Sequence, residues 1–323
     1  MSNVSIMTTD MTTELKSGRE AWGQTLAPAI TRAASKQTYY IVRFLVDRDR
    51  VADAYRAYAY FRWVDDYLDR EGTEKPEAIA FINRQRRLLD CGYRDAWPDN
   101  LSLEEGMLVE LVRGDKAMNS GLQAYLYNMM AVMAFDAGRR GRLISQVELD
   151  DYAHLLAKAV TEALHYFVGH DSAPPKSEAR YLAATAAHIT HMLRDTIEDA
   201  AMGYYNIPHE YLAANHIGPQ DVDHKAYRDW VQSRVQLARR YFKAGQGYLA
   251  QVRNLRCRMA GYLYMARFET VLDAIERDGY RLRAAYPECK TMTTGVRMAW
   301  TTLSRALTAN RQGPVSRPLP QWR

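Results

Sequence analysis

At 323 residues the chain has room for one large or two modest domains, and 47% apolar with 25% charged residues is ordinary for a protein with a sizeable buried core. Three scattered cysteines, Cys91, Cys257 and Cys289, exclude a disulfide scaffold and a Cys-x-x-Cys metal module, and they suit a reducing compartment. The net charge of +5 is mild and spread along the chain, which argues against nucleic acid as a partner.

Residues 1–18 carry neither a basic start nor an apolar stretch, so they read as a disordered lead without a signal peptide. From there 3–4 spacing of apolar residues predicts helices near 20–45, 49–70, 76–90, 102–116, 119–138, 147–169, 176–202, 224–254, 257–280 and 290–309. Breaks fall at Glu71-Gly72, Trp97-Pro98, Gly138 to Gly141, Ala173-Pro174-Pro175 and Ile217-Gly218-Pro219. Alternating strand patterns and hairpin turns are missing from the sequence. The longest apolar run, Met129 to Phe135, is seven residues, far short of the ~20 of a membrane span. The chain therefore reads as a single all-α domain over 19–310 with a flexible tail at 311–323.

Two of these helices carry carboxylates beside their core-facing stripe. In the helix near 49–70, Ala54, Ala57, Phe61, Val64 and Leu68 make an apolar face, and Tyr55, Tyr58, Arg62, Asp65 and Asp69 run alongside it. Asp65 and Asp69 stand at i, i+4, with Asp66 beside them. In the helix near 176–202, Ala186, Ile189, Leu193, Ile197 and Ala200 form the apolar face, flanked by His188, His191, Asp195 and Asp199 with Arg194 and Glu198. Like charges at i, i+4 destabilise a helix by a few tenths of a kcal/mol, about 0.2–0.5 per pair. A chain that repeats the arrangement calls for cations to neutralise it. Carboxylate pairs with nearby arginines suit Mg²⁺, which binds through one or two carboxylates and completes its shell with phosphate oxygens. Two facing pairs would hold metal over a diphosphate and stabilise its charge as a C–O bond breaks. The competing explanation of each pair is a solvated helix face.

The run Tyr58-Ala59-Tyr60-Phe61-Arg62-Trp63-Val64-Asp65-Asp66-Tyr67-Leu68-Asp69 resembles the first aspartate-rich motif of the squalene/phytoene synthase family. Met192-Leu193-Arg194-Asp195-Thr196-Ile197-Glu198-Asp199, followed by Gly203 and Ile207-Pro208, resembles the second. Weaker likenesses lie at Ser35 to Tyr40 and at Phe268 to Tyr280, so the similarity covers roughly residues 30–285. The resemblance implies an all-α isoprenoid-synthase bundle around a central cavity. It also implies Mg²⁺-dependent head-to-head condensation of two prenyl diphosphates, farnesyl or geranylgeranyl, with Mn²⁺ as a substitute ion. Carried over, it makes Asp65, Asp69, Asp195 and Asp199 metal ligands with Asp66 as helper, and gives Arg62 and Arg194 to the diphosphate. Tyr58 would line the pocket at the reacting carbons, and Thr38 and Tyr39 belong to the early substrate-binding segment.

The departures from the pattern are also informative. His188 and His191 stand where the family has Gln and Asn, and Tyr204 stands where it has a diphosphate-binding Arg. Lys158 replaces a small residue, and would either supply the missing charge or pair with Glu162 at i+4. His191, at i−4 from Asp195, suggests a general base, whereas for both histidines an imidazole hydrogen-bonding in place of the amide is the plainer explanation. Asp136 matches a family aspartate but reads as structural, and Glu162-Ala-Leu-His165 lacks the second copy that a di-iron bundle needs. These changes keep two alternatives open: a terpene synthase acting on one prenyl diphosphate, and a non-catalytic assembly or lipid-binding relative. A cytoplasmic protein touching the inner face of the membrane peripherally is the expected setting. The excess of 22 Tyr over 7 Phe places Tyr39, Tyr40, Tyr55, Tyr58, Tyr204 and Tyr205 in or beside the motifs, as expected of a cavity wall.

Overall fold

The computed structural model describes residues 25–170, 172–290 and 302. Among these residues the chain is all α: a helical stretch at 25–34 (α1) is followed by α2 (Lys36–Leu45), α3 (Val51–Leu68), α4 (Lys75–Gly92), α5 (Leu103–Gly114) and α6 (Gly121–Arg139). After them come α7 (Gln146–Phe167), α8 (Leu182–Ala201), α9 (His209–Asn215), α10 (Lys225–Gln251) and α11 (Leu255–Arg277). Apart from residues 290 and 302, the helix expected near 290–309 lies outside the described residues, as do the lead and the tail.

Local chemistry explains the boundaries. The predicted 20–45 helix is two helices because the Ser35 side chain accepts the Thr38 N–H and starts α2 as an N-cap. Ser102 with Glu105, and Ser145 with Glu148, form reciprocal capping boxes at the starts of α5 and α7. The Asn254 side chain caps α11 through the Cys257 N–H. The short α9, which the apolar spacing does not reveal, opens after Pro208 and closes at His216 in the left-handed region (φ 53°).

The sequence reads as one domain over 19–310; the residues group into two compact units, one ending at Ala134 and one starting at Phe135, so the division falls within α6. In the first unit α3 packs on α5 and α2, and α4 packs on α5. The expected apolar face of α3 is buried throughout, from Ala54 to Leu68. Tyr60, fully buried, donates to Gln85 Oε1 at 2.9 Å, and Gln85 in turn donates to Glu105, so these three side chains pair one another inside the core.

In the second unit α8 is the central element, packed against α7, α10 and α11. Gly245 of α10 lies so close to Ala183 that a Cβ would stand 2.6 Å from the alanine's own, so only glycine permits this approach. Gly203 (φ 86°) turns the chain out of α8, and its carbonyl accepts the Gly141 N–H at 2.8 Å. An isolated bridge joins Arg142 to Tyr204 beside it, tying the chain that follows α6 to the chain that follows α8.

Candidate active site

The first carboxylate group sits at the C-terminal end of α3. Asp65 and Asp66 lie in its last turn, while Asp69, expected inside the helix, is the C-cap, with its N–H on the Asp65 carbonyl at 3.0 Å. Arg62 donates to Asp65 Oδ2 at 3.2 Å and to Asp66 Oδ1, so the cation assigned to diphosphate is shared between two motif carboxylates. These groups are well exposed, with side-chain accessibilities of 41% for Arg62 and 40% for Asp65. Tyr58 is half-buried one turn before Arg62, and Tyr55 is buried with its hydroxyl on the Tyr39 carbonyl at 3.1 Å. Thr38 bonds Ser35 Oγ at 2.9 Å, in the first turn of α2, and Tyr39 stacks obliquely on Tyr55. Tyr40 is about half exposed, at 51%, and stacks on Phe44.

The second group sits at the C-terminal end of α8 and is far less exposed. Arg194 binds both oxygens of Asp195 at 2.6 Å, and His191 Nε2 lies 2.8 Å from Asp195 Oδ2. Burial pushes the Asp195 carboxyl up, but the hydrogen bonds from Arg194 and His191 outweigh it and hold the group well below the usual carboxylate range. Asp199 is the opposite case. Burial, with the charges of Asp195 and Asp136, raises it to about 7 against the opposing effects of its hydrogen bond from Asn206 and of Arg139. The two aspartates of one motif thus differ because one has an arginine and a histidine and the other has a neutral amide.

For His188 an imidazole hydrogen-bonding like an amide is the plainer expectation from sequence. The side chain is buried, both ring nitrogens lack a hydrogen-bond partner among the described residues, and the ring packs edge-on against Tyr152 at 4.9 Å. Burial, chiefly, holds its pKa well below the ordinary histidine value. The Lys158–Glu162 pairing does not form, because the Glu162 oxygens are taken by Arg180 at 2.7 Å and Tyr181 at 2.8 Å. Tyr204 is buried, its hydrophobic ring facing a guanidinium from elsewhere in the unit, and Tyr205 is half-buried. Asp136 accepts from Arg139 at 2.7 Å and from Tyr152 at 2.9 Å, as a structural aspartate would.

The carboxylate oxygens fit Mg²⁺ by charge and hardness. Both groups occupy the negative end of a helix with no basic residue in the last turn, where an anion costs about 0.3–1 kcal/mol. Among the described residues no three His, Cys, Asp or Glu side chains converge into a closed cage. Sequence reasoning missed Arg139 and Asn206, which contact the Asp199 carboxylate directly or at one remove. Asn206 stood inside the motif region, whereas Arg139 lies far upstream and carries no motif signal.

The fold is that of the all-α isoprenoid synthases. A family profile described as squalene/phytoene synthase matches residues 31–294, on both sides of the division within α6, and the chain belongs to that family. Among solved structures it is similar to squalene synthase HpnC from Alicyclobacillus acidocaldarius, with a TM-score of 0.63 and 17% identity over 81% of this chain and 95% of that one. It is also similar to a dehydrosqualene synthase in complex with ligand, with a TM-score of 0.69 and 17% identity over 88% of this chain and 97% of that one. No match to a curated protein sequence was found.

Proposed function

We propose that this protein is a divalent-metal-dependent prenyltransferase that joins two prenyl diphosphates head to head, starting with ionisation of one diphosphate. The observation that carries this reading is the repeated carboxylate group at a helix C-terminus without a basic residue in the same turn, in a chain of this family. Mg²⁺, or Mn²⁺ in its place, would be held at each helix end, by Asp65 and Asp69 with Asp66 as helper and by Asp195 and Asp199, and would neutralise the charge of a leaving diphosphate.

The remaining work falls to the chain's own side chains. Arg194 offers a planar fork of donors that matches phosphate oxygens as well as it matches Asp195, and Arg62 offers the same chemistry at a more exposed position. The aromatic faces of Tyr58 and its neighbours suit a carbocation, because a ring's negative face attracts positive charge. His191 steadies Asp195 through Nε2 and is the nearest candidate to take a proton. His188 supplies two buried ring nitrogens on the helix that carries Asp195 and Asp199. The substrates are farnesyl or geranylgeranyl diphosphate in this reading. Among the described residues no helix is long and apolar enough to cross a membrane. The long apolar chain of the substrate favours a cytoplasmic protein with peripheral membrane contact.

A second reading, ionisation of a single prenyl diphosphate to a terpene, is favoured by Tyr204, which is buried where the family pattern carries a cation. Incubation with Mg²⁺ and each prenyl diphosphate, followed by analysis of the lipid extract, tests both. A product of doubled carbon number is expected. A single-chain terpene or alcohol would favour the second reading, and intact diphosphate at every chain length would overturn both and leave a non-catalytic role.

A further inference from the structure

The cation absent at Tyr204 is present nearby, on a different helix. Arg139, at the end of α6, is 6% exposed, and its guanidinium lies 5.1 Å from the Tyr204 ring centroid, 4.9 Å from that of Tyr152 and 5.7 Å from that of Phe135. Its Nε donates to Asp136 Oδ1 at 2.7 Å, and Tyr152 donates to the other Asp136 oxygen at 2.9 Å. Its Nη1 donates to Asn206 Oδ1 at 2.8 Å, and Asn206 Nδ2 donates to Asp199 Oδ2 at 2.6 Å.

The polarity of this chain of bonds is compulsory. A guanidinium has donors only, so Asn206 must turn its carbonyl oxygen toward Arg139. The amide nitrogen then has to face Asp199, a carboxylate that accepts. Reversing the amide would leave a donor against a donor and an acceptor against an acceptor. Asp136 fixes the other edge of the guanidinium, and three aromatic rings restrict its plane. The backbone bond from Gly141 to Gly203 holds together the two segments that carry Arg139 and Asn206.

We propose that Arg139 is a positioning residue for the second carboxylate group, fixing the Asn206 amide so that Asp199 presents its Oδ1 edge to a divalent cation. This assignment rests on the metal-dependent reading above and gives the departure at Tyr204 a physical meaning: the positive charge has moved from the loop after α8 to the end of α6. Groups at this remove from a metal typically alter its affinity 10–100-fold, so an effect of that order is expected.

The test is Mn²⁺ titration of the purified full chain in the presence of inorganic diphosphate, reading free Mn²⁺ by electron paramagnetic resonance. The sites of interest are those that Asp195→Asn removes. Arg139→Met should weaken them on the order of 10–100-fold, with Arg139→Lys recovering part of the loss. Asn206→Leu should weaken them similarly, and the double variant should be no worse than the weaker single, because both changes cut one relay. Should Arg139→Met fail to fold by circular dichroism, Asn206→Leu decides the matter with Arg139 intact. Wild-type affinity in a folded Arg139→Met or Asn206→Leu chain, or strictly additive losses, would overturn the assignment while leaving the metal reading intact. If wild type and Asp195→Asn bind Mn²⁺ alike, the metal reading itself fails and this one with it.

Discussion

The ends of α3 and α8 carry the same sequence device in different surroundings. Each places two aspartates four residues apart near a helix C-terminus, with an arginine close by and no basic residue in the last turn. At α3 the ion-paired side chains are 40% or more exposed, so water screens them and the arginine is shared between Asp65 and Asp66. At α8 the exposure falls to 24% for Asp195 and 25% for Arg194, and the charges are close to buried groups of both signs. Spacing alone does not set electrostatic strength; desolvation by α7, α10 and α11, which pack around α8, sets it.

If the α8 side is the rigid, electrostatically loaded one, breaking its support should cost most. Asp136→Ala leaves the Arg139 guanidinium buried without its ion partner, and should destabilise the chain by about 3–5 kcal/mol in urea unfolding. A loss below 1 kcal/mol would mean that water reaches Arg139 freely. Next in size, Asp65→Ala and Asp195→Ala should each slow diphosphate release on the order of 10²–10³-fold with helical circular dichroism unchanged. Near-normal release by either variant would remove that helix end from the chemistry.

A pH experiment sharpens the contrast further. His165, bonded to Tyr248 at 2.7 Å and near Cys257 at 3.6 Å, is lowered to about 4 by burial first and by the charge of Arg180 second. Between pH ~6.5 and about 4 the unfolded chain therefore binds a proton that the folded chain refuses. Stability should be full above ~6.5 and fall toward pH 4, on the order of 2–3 kcal/mol in total. Asp199, raised to about 7, acts with the opposite sign, since it favours the folded state in acid and loses that contribution as pH rises through 7. The measure is thus the difference between wild type and His165→Gln in urea midpoints from pH 4 to 7; parallel curves would refute the assignment. The smallest effect is expected at α3, where Arg62→Ala should change unfolding stability by less than about 1 kcal/mol because its pairs are solvent-screened.

Much of this was legible in the linear sequence. The apolar stripe from Ala54 to Leu68 is buried as its period predicts, and the i, i+4 aspartates lie where helical geometry puts them. Ser35 was a capping signal concealed within a continuous helical pattern, because the spacing of apolar residues is insensitive to a single N-cap. His188 and His191 look equivalent in sequence, three residues apart on one helix. One is buried with no polar partner among the described residues, and the other is exposed against Asp195.

Sequence by itself determined most of the helices, the family resemblance and the two carboxylate groups, because period, capping and motif spacing act over a few residues along the chain. Tertiary structure alone decided the charge state of each aspartate and the identity of its supporters. Arg139 reaches Asn206 across 67 residues of sequence, and Tyr152 meets His188 from another helix. Such contacts come from packing between helices, and no local pattern encodes them. Desolvation then makes those few contacts strong enough to separate Asp195 from Asp199.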